Sequence, residues 1–512
     1  MSRTENASRN IFWGVFNKVV SLGLPFATRT VMIYTMGMQY VGLGSLFSSI
    51  LQVLSFAELG IGSALVFSMY KPMAEGNDDK VCALLNFYRN AYRIIGSIIL
   101  LFGLVMMPFL ENLIAGDLPE GVNLQALFSI YLINNILGYF LFAYKQSLFT
   151  ASQRMDIISR IGMGLQLLSN VCQILVLVLL RNYYLYVIVI PVITCLNNLC
   201  IGVLTDKYYP QYKCRGNLEK KELKVIEKKV GGMVFQKIGG IVLSSVDTIV
   251  ISAFLGLTTL AFYQNYYYII TSIFGFLTVI MQSIIAGVGN SVATETTNKN
   301  YNDFKKFNFI YIWIVAWCTT CLLCLYQPFM RLWVGKENMF EYGMVVLFAL
   351  YFYVHKWCDM LYVYQEACGI WWETKFVPLV AAIVNLIVNI ILVKVIGLPG
   401  ILISTIVAVV FIYDTGYSKV LFNTYFRTIQ GGLKEYWARQ IIYLLSALFA
   451  STVTVIICSF IKIPSSLLKI IINGVICAVI PNLIFILIWR NLPEFGYAKV
   501  ILNRIVGKLV KK

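Results

Sequence analysis

Hydrophobic residues in this chain are gathered in long, nearly uninterrupted runs. A helix that crosses a lipid bilayer needs about 20 consecutive, mainly apolar residues, and fourteen runs of roughly this length can be counted. The runs cover residues 11–33, 41–69, 92–110, 124–147, 157–180, 183–204, 232–255, 259–289, 307–327, 342–365, 376–396, 399–418, 440–461 and 466–489. The pattern predicts an all-α, polytopic membrane protein with about 14 transmembrane helices.

The composition agrees with a membrane protein. Of the 512 residues, 59% are hydrophobic and 13% are charged, whereas soluble domains are about 45–50% apolar and about 25% charged. This balance excludes a soluble enzyme, a secreted disulfide scaffold and a disordered chain. Cys318, Cys321 and Cys324 are spaced by three residues. Zinc needs four nitrogen or sulfur ligands, and no histidine or fourth cysteine is nearby, so we interpret these thiols as core packing and expect no metal.

The positive charges predict the orientation. Forty-one Lys and Arg against 24 Asp and Glu give a net charge of +17. With a cytoplasmic N-terminus, 31 of the 41 fall in cytoplasmic segments, five in outside loops and five within spans. Cytoplasmic loops of membrane proteins carry this excess of Lys and Arg. We therefore expect a multi-pass membrane protein with both termini in the cytoplasm, lipids as its surroundings and no nucleic-acid partner.

Two parts of the chain resemble each other at a fixed offset of 219 residues. Phe16-Asn17-Lys18-Val19 matches Phe235-Gln236-Lys237-Ile238, and residues 41–47 match 260–266 without a gap. Chance similarity between apolar stretches is the alternative; we interpret the match as a parallel repeat of two six-helix lobes. The predicted domains are an N-terminal lobe (1–204), a cytoplasmic linker with an amphipathic helix (205–231), a C-terminal lobe (232–420), an appended helix pair (421–490) and a basic cytoplasmic tail (491–512).

Basic residues inside the spans are candidates for binding an anion. Lys18 and Arg29 share one face of the first span, about 16 Å apart along a helix axis, with Pro25 between them as a candidate hinge. Cations at two depths suit an anion that moves across the membrane, although snorkelling of each side chain to its nearer interface is an alternative. Lys237, the repeat partner of Lys18, and Lys356 complete the substrate-binding candidates.

Acidic residues inside the spans are candidates for coupling to H⁺ or Na⁺, because a charge at this depth usually faces a cavity or a partner. Asp247 of the seventh span could pair with Arg29 or bind the ion. The tenth span carries a polar stripe made of His355, Asp359, Tyr362 and Glu366. A His355–Asp359 pair could relay protons or form a structural hydrogen bond. Glu58 could equally serve in packing between helices. The ion-coupling candidates are Asp247, His355, Asp359 and Glu58; no other cofactor is expected.

Several stretches resemble a known family. Residues 42–47, 54–65 and 328–335 are similar to bacterial polysaccharide flippases of the O-antigen type, within the superfamily of multidrug, oligosaccharidyl-lipid and polysaccharide exporters. The resemblance implies two lobes around a central cavity that opens alternately to either side. It also implies a polyprenyl-pyrophosphate-linked oligosaccharide as cargo, with a polysaccharide polymerase and glycosyltransferases as partners.

Other functions stay open at this point. A peptidoglycan lipid-precursor flippase has the same requirements. A drug or cation antiporter should have a net acidic cavity, which the pair Lys18 and Arg29 disfavours. An integral membrane glycosyltransferase or polymerase usually has a large external loop, whereas the outside loops here are short, so we expect a transporter and not an enzyme. The chain has no G-x-x-x-x-G-K-[ST] phosphate loop, so ATP hydrolysis within it is not expected.

Overall fold

The computed structural model describes residues 21–55, 61–461 and 463–500. Throughout these residues the regular structure is helical and no strand occurs. The helices are α1 (21–35), α2 (Met38–Leu54), α3 (Ile61–Ala74), α4 (Asp78–Met106), α5 (Leu124–Phe140), α6 (Gln146–Ala151), α7 (Met155–Leu175), α8 (Tyr183–Tyr208), α9 (Lys220–Thr294), α10 (Thr297–Trp333), α11 (Tyr342–Trp357), α12 (Asp359–Cys368), α13 (Trp371–Thr374), α14 (Val377–Ile396), α15 (Leu398–Ala408), α16 (Thr415–Thr424), α17 (Gly432–Phe460) and α18 (Ser466–Trp489).

The predicted multi-pass, all-α class is confirmed. Within the described part of the chain, ten helices are long and apolar enough to cross a membrane, and α5 with residues 143–151, bent by 47°, would be an eleventh. One of the ten, Lys237–Thr294, contains a break at Gly256 and so holds two predicted spans. Helices α1 and α2 lie where the first two spans are predicted. Fourteen spans are therefore compatible with the structure.

Two glycines repeat the same turn at the predicted offset. Gly37 has φ 102° and ψ 172° immediately before α2, and Gly256 has φ 82° and ψ 173° immediately before the second segment of α9. Only glycine adopts this backbone region without strain. The two positions are 219 residues apart, so the offset found in the sequence recurs in the backbone. The matching stretch 16–19 lies outside the described residues.

The chain divides into two compact units, Met1–Gln264 and Asn265–Lys512. The division falls within α9 and not in the predicted linker 205–231. In the first unit α5 packs against α4 and α8, and α7 packs against α8. In the second unit α10 packs against α11, α17 and α18, so the appended pair is part of that unit. The helix that begins at Lys220 continues without a break towards Gly256, so the predicted amphipathic segment is continuous with the seventh predicted span.

A network of ion pairs anchors the appended pair to α10. Arg439 of α17 donates to Glu494 at 2.8 Å and pairs with Glu435 at 3.3 Å. Glu435 accepts a hydrogen bond from Tyr301 at 2.9 Å and pairs with Lys305 at 3.4 Å, both on α10. Glu494 is only 4% exposed, so its carboxylate depends on Arg439 for compensation.

Replacing Arg439 with Ala is expected to lower the free energy of unfolding by about 3 kcal/mol, because it leaves the Glu494 carboxylate buried and unpaired. The measurement is thermal unfolding of the purified protein in detergent. Lys71→Ala removes an exposed i,i+4 pair with Glu75 and should cost less than about 0.5 kcal/mol. Combining Arg439→Met with Glu494→Gln should restore most of the stability; an equal loss in the double variant would contradict the ion-pair explanation.

Candidate transport site

An uncharged polar groove runs along the first unit. One cavity of about 440 Å³ lies between α2, α5 and α8, and a second of about 440 Å³ shares Asn135 and Tyr139 with it. The polar side chains of the first cavity are Ser48, Gln52, Ser55, Tyr131, Asn134 and Asn135. Those of the second include Tyr88, Tyr92, Gln146, Ser147 and Thr150. None of the described residues that line either cavity is charged.

The amides of the groove are held by neighbouring hydroxyls. Ser55 Oγ donates to Asn135 Oδ1 at 3.2 Å, and Thr194 Oγ1 donates to Asn134 Oδ1 at 2.7 Å. A carboxamide combines two donors with an acceptor, so these side chains present both functions in one place. The sequence analysis missed them because it searched the spans for charge. Two adjacent asparagines inside the apolar run 124–147 were the available signal, since buried amides are also costly without partners.

Arg29, predicted to bind an anion, lies half-buried on α1 of the first unit. It is within electrostatic range of Tyr186 on α8, whose ring stacks on Tyr183 at 5.6 Å and 15°. Tyr183 in turn donates to the backbone oxygen of Tyr40 at 3.0 Å, so Arg29 lies beside an aromatic cluster. Helix α1 is uninterrupted across Pro25, whose role as a hinge stays a prediction.

The predicted residues of the seventh span differ in their surroundings. Asp247 is buried, as is its neighbour Thr248, which accepts a hydrogen bond from Gln264 Nε2 at 2.9 Å. Lys237 is exposed and lies ten residues earlier, about 15 Å along the helix. The predicted pairing of Asp247 with Arg29 remains untested. Lys18 and Glu58 lie outside the described residues.

In the second unit the tenth span is broken beside a partly buried ion pair. Helix α11 ends at Trp357 and α12 begins at Asp359, with Cys358 (φ −106°, ψ 7°) between them. The Asp359 carboxylate accepts from Tyr311 OH at 2.5 Å and from Lys356 Nζ at 3.0 Å. The Lys356 and Asp359 side chains are 14% and 19% exposed. Lys356, predicted to bind substrate, is therefore already paired with a coupling candidate.

The lysine of this pair also contacts an aromatic ring. Lys356 Nζ lies 4.3 Å from the centroid of the Phe274 ring, within the range of a cation–π interaction. The ring and the Asp359 carboxylate together compensate the buried ammonium. The pair and its ring thus form a charged site inside the membrane helices, which we call the α11–α12 break site.

In the described part of the chain His355 and Asp359 form no hydrogen bond with each other, and a relay between them stays a prediction. The His355 ring packs against Tyr351 at 4.4 Å and Phe274 at 6.1 Å, and its Nε2 is buried without a hydrogen-bond partner among the residues that the structure describes. The prediction assumed one continuous helical stripe, whereas the break at Cys358 interrupts that stripe. The direct partners of Asp359 are Tyr311 and Lys356 instead.

A second acid at this site, Asp414, was missed by the sequence analysis. It is 2% exposed, ends a π-helical turn at Val409–Asp414 and accepts from Trp357 Nε1 at 2.6 Å. Cys358 also contacts it, and it lies within electrostatic range of Asp359. A lone Asp within the apolar run 399–418 was the available signal. Buried acids and π-helical turns are both frequent at functional sites of membrane helices.

The expectation that no further cysteine lies near Cys318, Cys321 and Cys324 is also wrong. The sulfur atoms of Cys458 and Cys477 come within 4.8 Å of that of Cys324. These two cysteines belong to α17 and α18, which lie more than a hundred residues after Cys324 in the sequence.

A multi-pass helical fold that holds a polar groove and buried acids is typical of membrane transporters. The fold resembles that of the lipid II flippase MurJ in an inward closed conformation (TM-score 0.69, 16% identity, 94% of this chain and 98% of that chain). It also resembles an inward-facing multidrug resistance MATE family transporter of the MOP superfamily (TM-score 0.58, 11% identity, 80% and 96%) and the eukaryotic MATE transporter AtDTX14 (0.53, 12%, 83% and 98%). No curated protein sequence matches the chain.

Residues 7–285 match the family of polysaccharide biosynthesis proteins. This match covers more than half of the chain, so the protein belongs to that family. The polysaccharide family expected from the sequence is thereby confirmed. The fold is shared with the MurJ flippase and with MATE transporters of the MOP superfamily.

Proposed function

We propose that the protein flips a polyprenyl-pyrophosphate-linked oligosaccharide repeat unit from the inner to the outer leaflet, by alternating access, during synthesis of a cell-surface polysaccharide. The family match carries this proposal. The uncharged polar groove supports this choice of cargo, because the sugar head needs hydrogen-bond donors and acceptors within the membrane while the lipid tail can remain in the bilayer.

The groove suits sugar hydroxyls better than it suits a cation. Its amides, hydroxyls and tyrosines supply both donors and acceptors, and each cavity of about 440 Å³ lies within the range of about 300–1,000 Å³ of small-molecule sites. A drug-cation carrier would be expected to place an acid there. The described lining of the groove contains none.

The pyrophosphate requires cations, and Arg29, Lys18 and Lys237 are our candidates. A guanidinium grips phosphate oxygens in a fork with two parallel hydrogen bonds, so we give Arg29 the main role. Lys356 is paired with Asp359, and we assign it to energy coupling instead. A gradient of H⁺ or Na⁺ would supply the driving force, through an ion bound at the α11–α12 break site.

The cellular setting is also a proposal. The resemblance to bacterial polysaccharide flippases favours the bacterial inner membrane, and the distribution of positive charge favours both termini in the cytoplasm. A polymerase that consumes the flipped unit and glycosyltransferases that build it are the expected partners.

Replacing Asn135 with Leu is expected to lower the transport rate at least tenfold, which corresponds to about 1.4 kcal/mol, because it removes the amide shared by both cavities. The assay uses proteoliposomes with a labelled polyprenyl-pyrophosphate oligosaccharide and measures its exposure to a membrane-impermeant glycosidase. Gln125→Leu changes an exposed amide at the start of the same helix and should transport normally.

The same assay tests the competing functions. Transport of lipid II at a higher rate than the oligosaccharide would support a peptidoglycan-precursor flippase, and exchange of drug cations would support an antiporter. Sugar transfer by the purified protein in detergent, without a second compartment, would contradict the assignment as a flippase.

A further inference from the structure

Four cysteine side chains meet at one place in the second unit. The sulfur atoms of Cys324, Cys458 and Cys477 all lie within 4.8 Å of one another, and these residues are 7%, 5% and 0% exposed. Cys321, one helical turn before Cys324, packs against them, and its thiol is within electrostatic range of that of Cys477. We call this set the four-thiol cluster.

The backbone around the cluster is fixed by side chains of neighbouring helices. Asn473 Nδ2 on α18 donates to the carbonyl oxygen of Cys324 at 3.2 Å. Trp317 Nε1 on α10 donates to the carbonyl oxygen of Cys477 at 2.8 Å. These reciprocal bonds join α10 and α18 on both sides of the thiols, so the sulfur atoms are held on a rigid frame.

Two further polar groups lie beside the thiols, the Oδ1 of Asn473 and the ammonium of Lys469. Asn473 is 1% exposed, and its Oδ1 has no hydrogen-bond partner within the described part of the chain; such an orphaned acceptor is unusual in a folded interior. Lys469, one turn earlier on α18, lies within electrostatic range of the Cys458 thiol. An acceptor oxygen and a cation therefore stand next to groups that become anionic when they bind a metal.

We propose that the four-thiol cluster binds a thiophilic d¹⁰ metal ion, Zn²⁺ or Cu⁺. Soft thiolate ligands select these ions. Four sulfurs at about 2.3 Å from Zn²⁺ in a tetrahedron lie about 3.8 Å from one another. The sulfurs of Cys324, Cys458 and Cys477, within 4.8 Å of one another, need only a small inward shift, and that of Cys321 would have to move further to complete the tetrahedron. Three of the sulfurs alone would suit Cu⁺.

The binding step exchanges protons for metal and moves no electrons. Each thiol that becomes a ligand loses its proton to solvent as its sulfur donates a lone pair to the ion. Lys469 offsets part of the negative charge of the thiolates. Cys458 is two residues from the end of α17 at Phe460, which gives the ion and the released protons a short path.

The ion would fasten the appended pair to the rest of the second unit. Cys321 and Cys324 belong to α10, whereas Cys458 and Cys477 belong to α17 and α18, so one ion would join three helices. A ligand that binds only the folded state raises its stability. This role is independent of the cargo and of the proposed flippase function.

The test uses the full-length protein, purified in detergent, reduced and stripped of metal, and then equilibrated without oxygen with either Zn²⁺ or Cu⁺. The retained metal, the thermal unfolding midpoint and the alkylation of thiols are measured. We expect one equivalent of metal per chain, a higher midpoint, protection of the cluster thiols from alkylation, and weaker binding as the pH is lowered.

A variant with Cys324→Ala, Cys458→Ala and Cys477→Ala should lose all four effects. Cys318→Ala, one turn before Cys321 on α10, should keep them. If the triple variant does not fold, the thiol protection of the wild-type protein and the single variant Cys458→Ala decide the question.

The two metals separate the coordination modes. Retention of Zn²⁺ supports four-sulfur ligation that includes Cys321, and retention of Cu⁺ alone supports ligation by three sulfurs. Two results would overturn the proposal. In the first, the wild-type protein retains no more of either ion than Cys458→Ala does. In the second, cluster cysteines form a disulfide in air even after the metal has been added.

Discussion

Asp359→Asn is expected to reduce transport at least a hundredfold, a change of about 2.7 kcal/mol in the barrier, and also to destabilise the protein. The substitution keeps the shape of the side chain and an acceptor for Tyr311, which donates to Asp359 at 2.5 Å. It removes the negative charge that faces Lys356 at 3.0 Å. An unpaired ammonium in this largely buried place costs roughly 3 kcal/mol of stability.

A second substitution separates a structural role from a coupling role. When Lys356→Met is combined with Asp359→Asn, the buried pair is removed as a whole, and the unfolding midpoint should return close to that of the wild type, because replacing both charges is often neutral or stabilising. If Asp359 carries the coupling ion, transport should remain lost. Transport at the wild-type rate in this double variant would show that the pair is only structural.

The measurement is uptake into proteoliposomes with an imposed H⁺ gradient or an imposed Na⁺ gradient. Glu366→Gln is the matched control, because Glu366 is an acid on the same helix that lies seven residues further along α12 and is half-buried. It should retain the response to whichever gradient drives the wild type. A wild-type protein that responds to neither gradient would contradict ion coupling altogether.

The fold class and the turn before each repeated span could be predicted from the sequence because both depend on local properties. The apolar runs set the spans, and the offset that aligns residues 41–47 with 260–266 also aligns Gly37 with Gly256, whose backbone needs glycine. His355 and Asp359, which both lie in the described part of the chain, are not hydrogen-bonded to each other for a different reason. The interpretation of a periodic pattern assumes a continuous helix, and no residue near Trp357 indicates that α11 ends there.

Contacts between helices were beyond the reach of the sequence. The convergence of Cys324 with Cys458 and Cys477 depends on how α17 and α18 pack on α10, which no spacing along the chain encodes. Asp414 and the amides of the groove were missed because attention fell on clusters of charge. A search for any polar residue within an apolar run would have found them, since such residues are costly wherever they occur in a membrane.

Gly42→Ala is expected to disrupt the first unit where α2 passes the turn into the second segment of α9. A Cβ at Gly42 would lie 2.2 Å from the backbone oxygen of Leu257, far inside contact distance. The turn cannot simply retreat, because Ala115 N–H donates to the carbonyl oxygen of Ser252 at 2.9 Å and holds the same segment. Overpacking of this kind typically costs about 1–3 kcal/mol, which should appear as a lower unfolding midpoint.

The neighbouring glycine provides the control. A Cβ at Gly44, two residues later on α2, would lie 3.0 Å from Tyr131 OH and 3.1 Å from Tyr183 OH, and the ends of these side chains can move aside. Gly44→Ala should therefore fold and transport nearly as the wild type does, whereas Gly42→Ala should lose most transport in the proteoliposome assay. If the contact only stabilises the fold, a lower assay temperature should restore transport by Gly42→Ala. If the close approach of α2 and α9 must re-form in every cycle, transport by Gly42→Ala should stay low even where the variant is fully folded. Equal transport rates for Gly42→Ala and Gly44→Ala would rule out both the stabilising role and the role in the transport cycle.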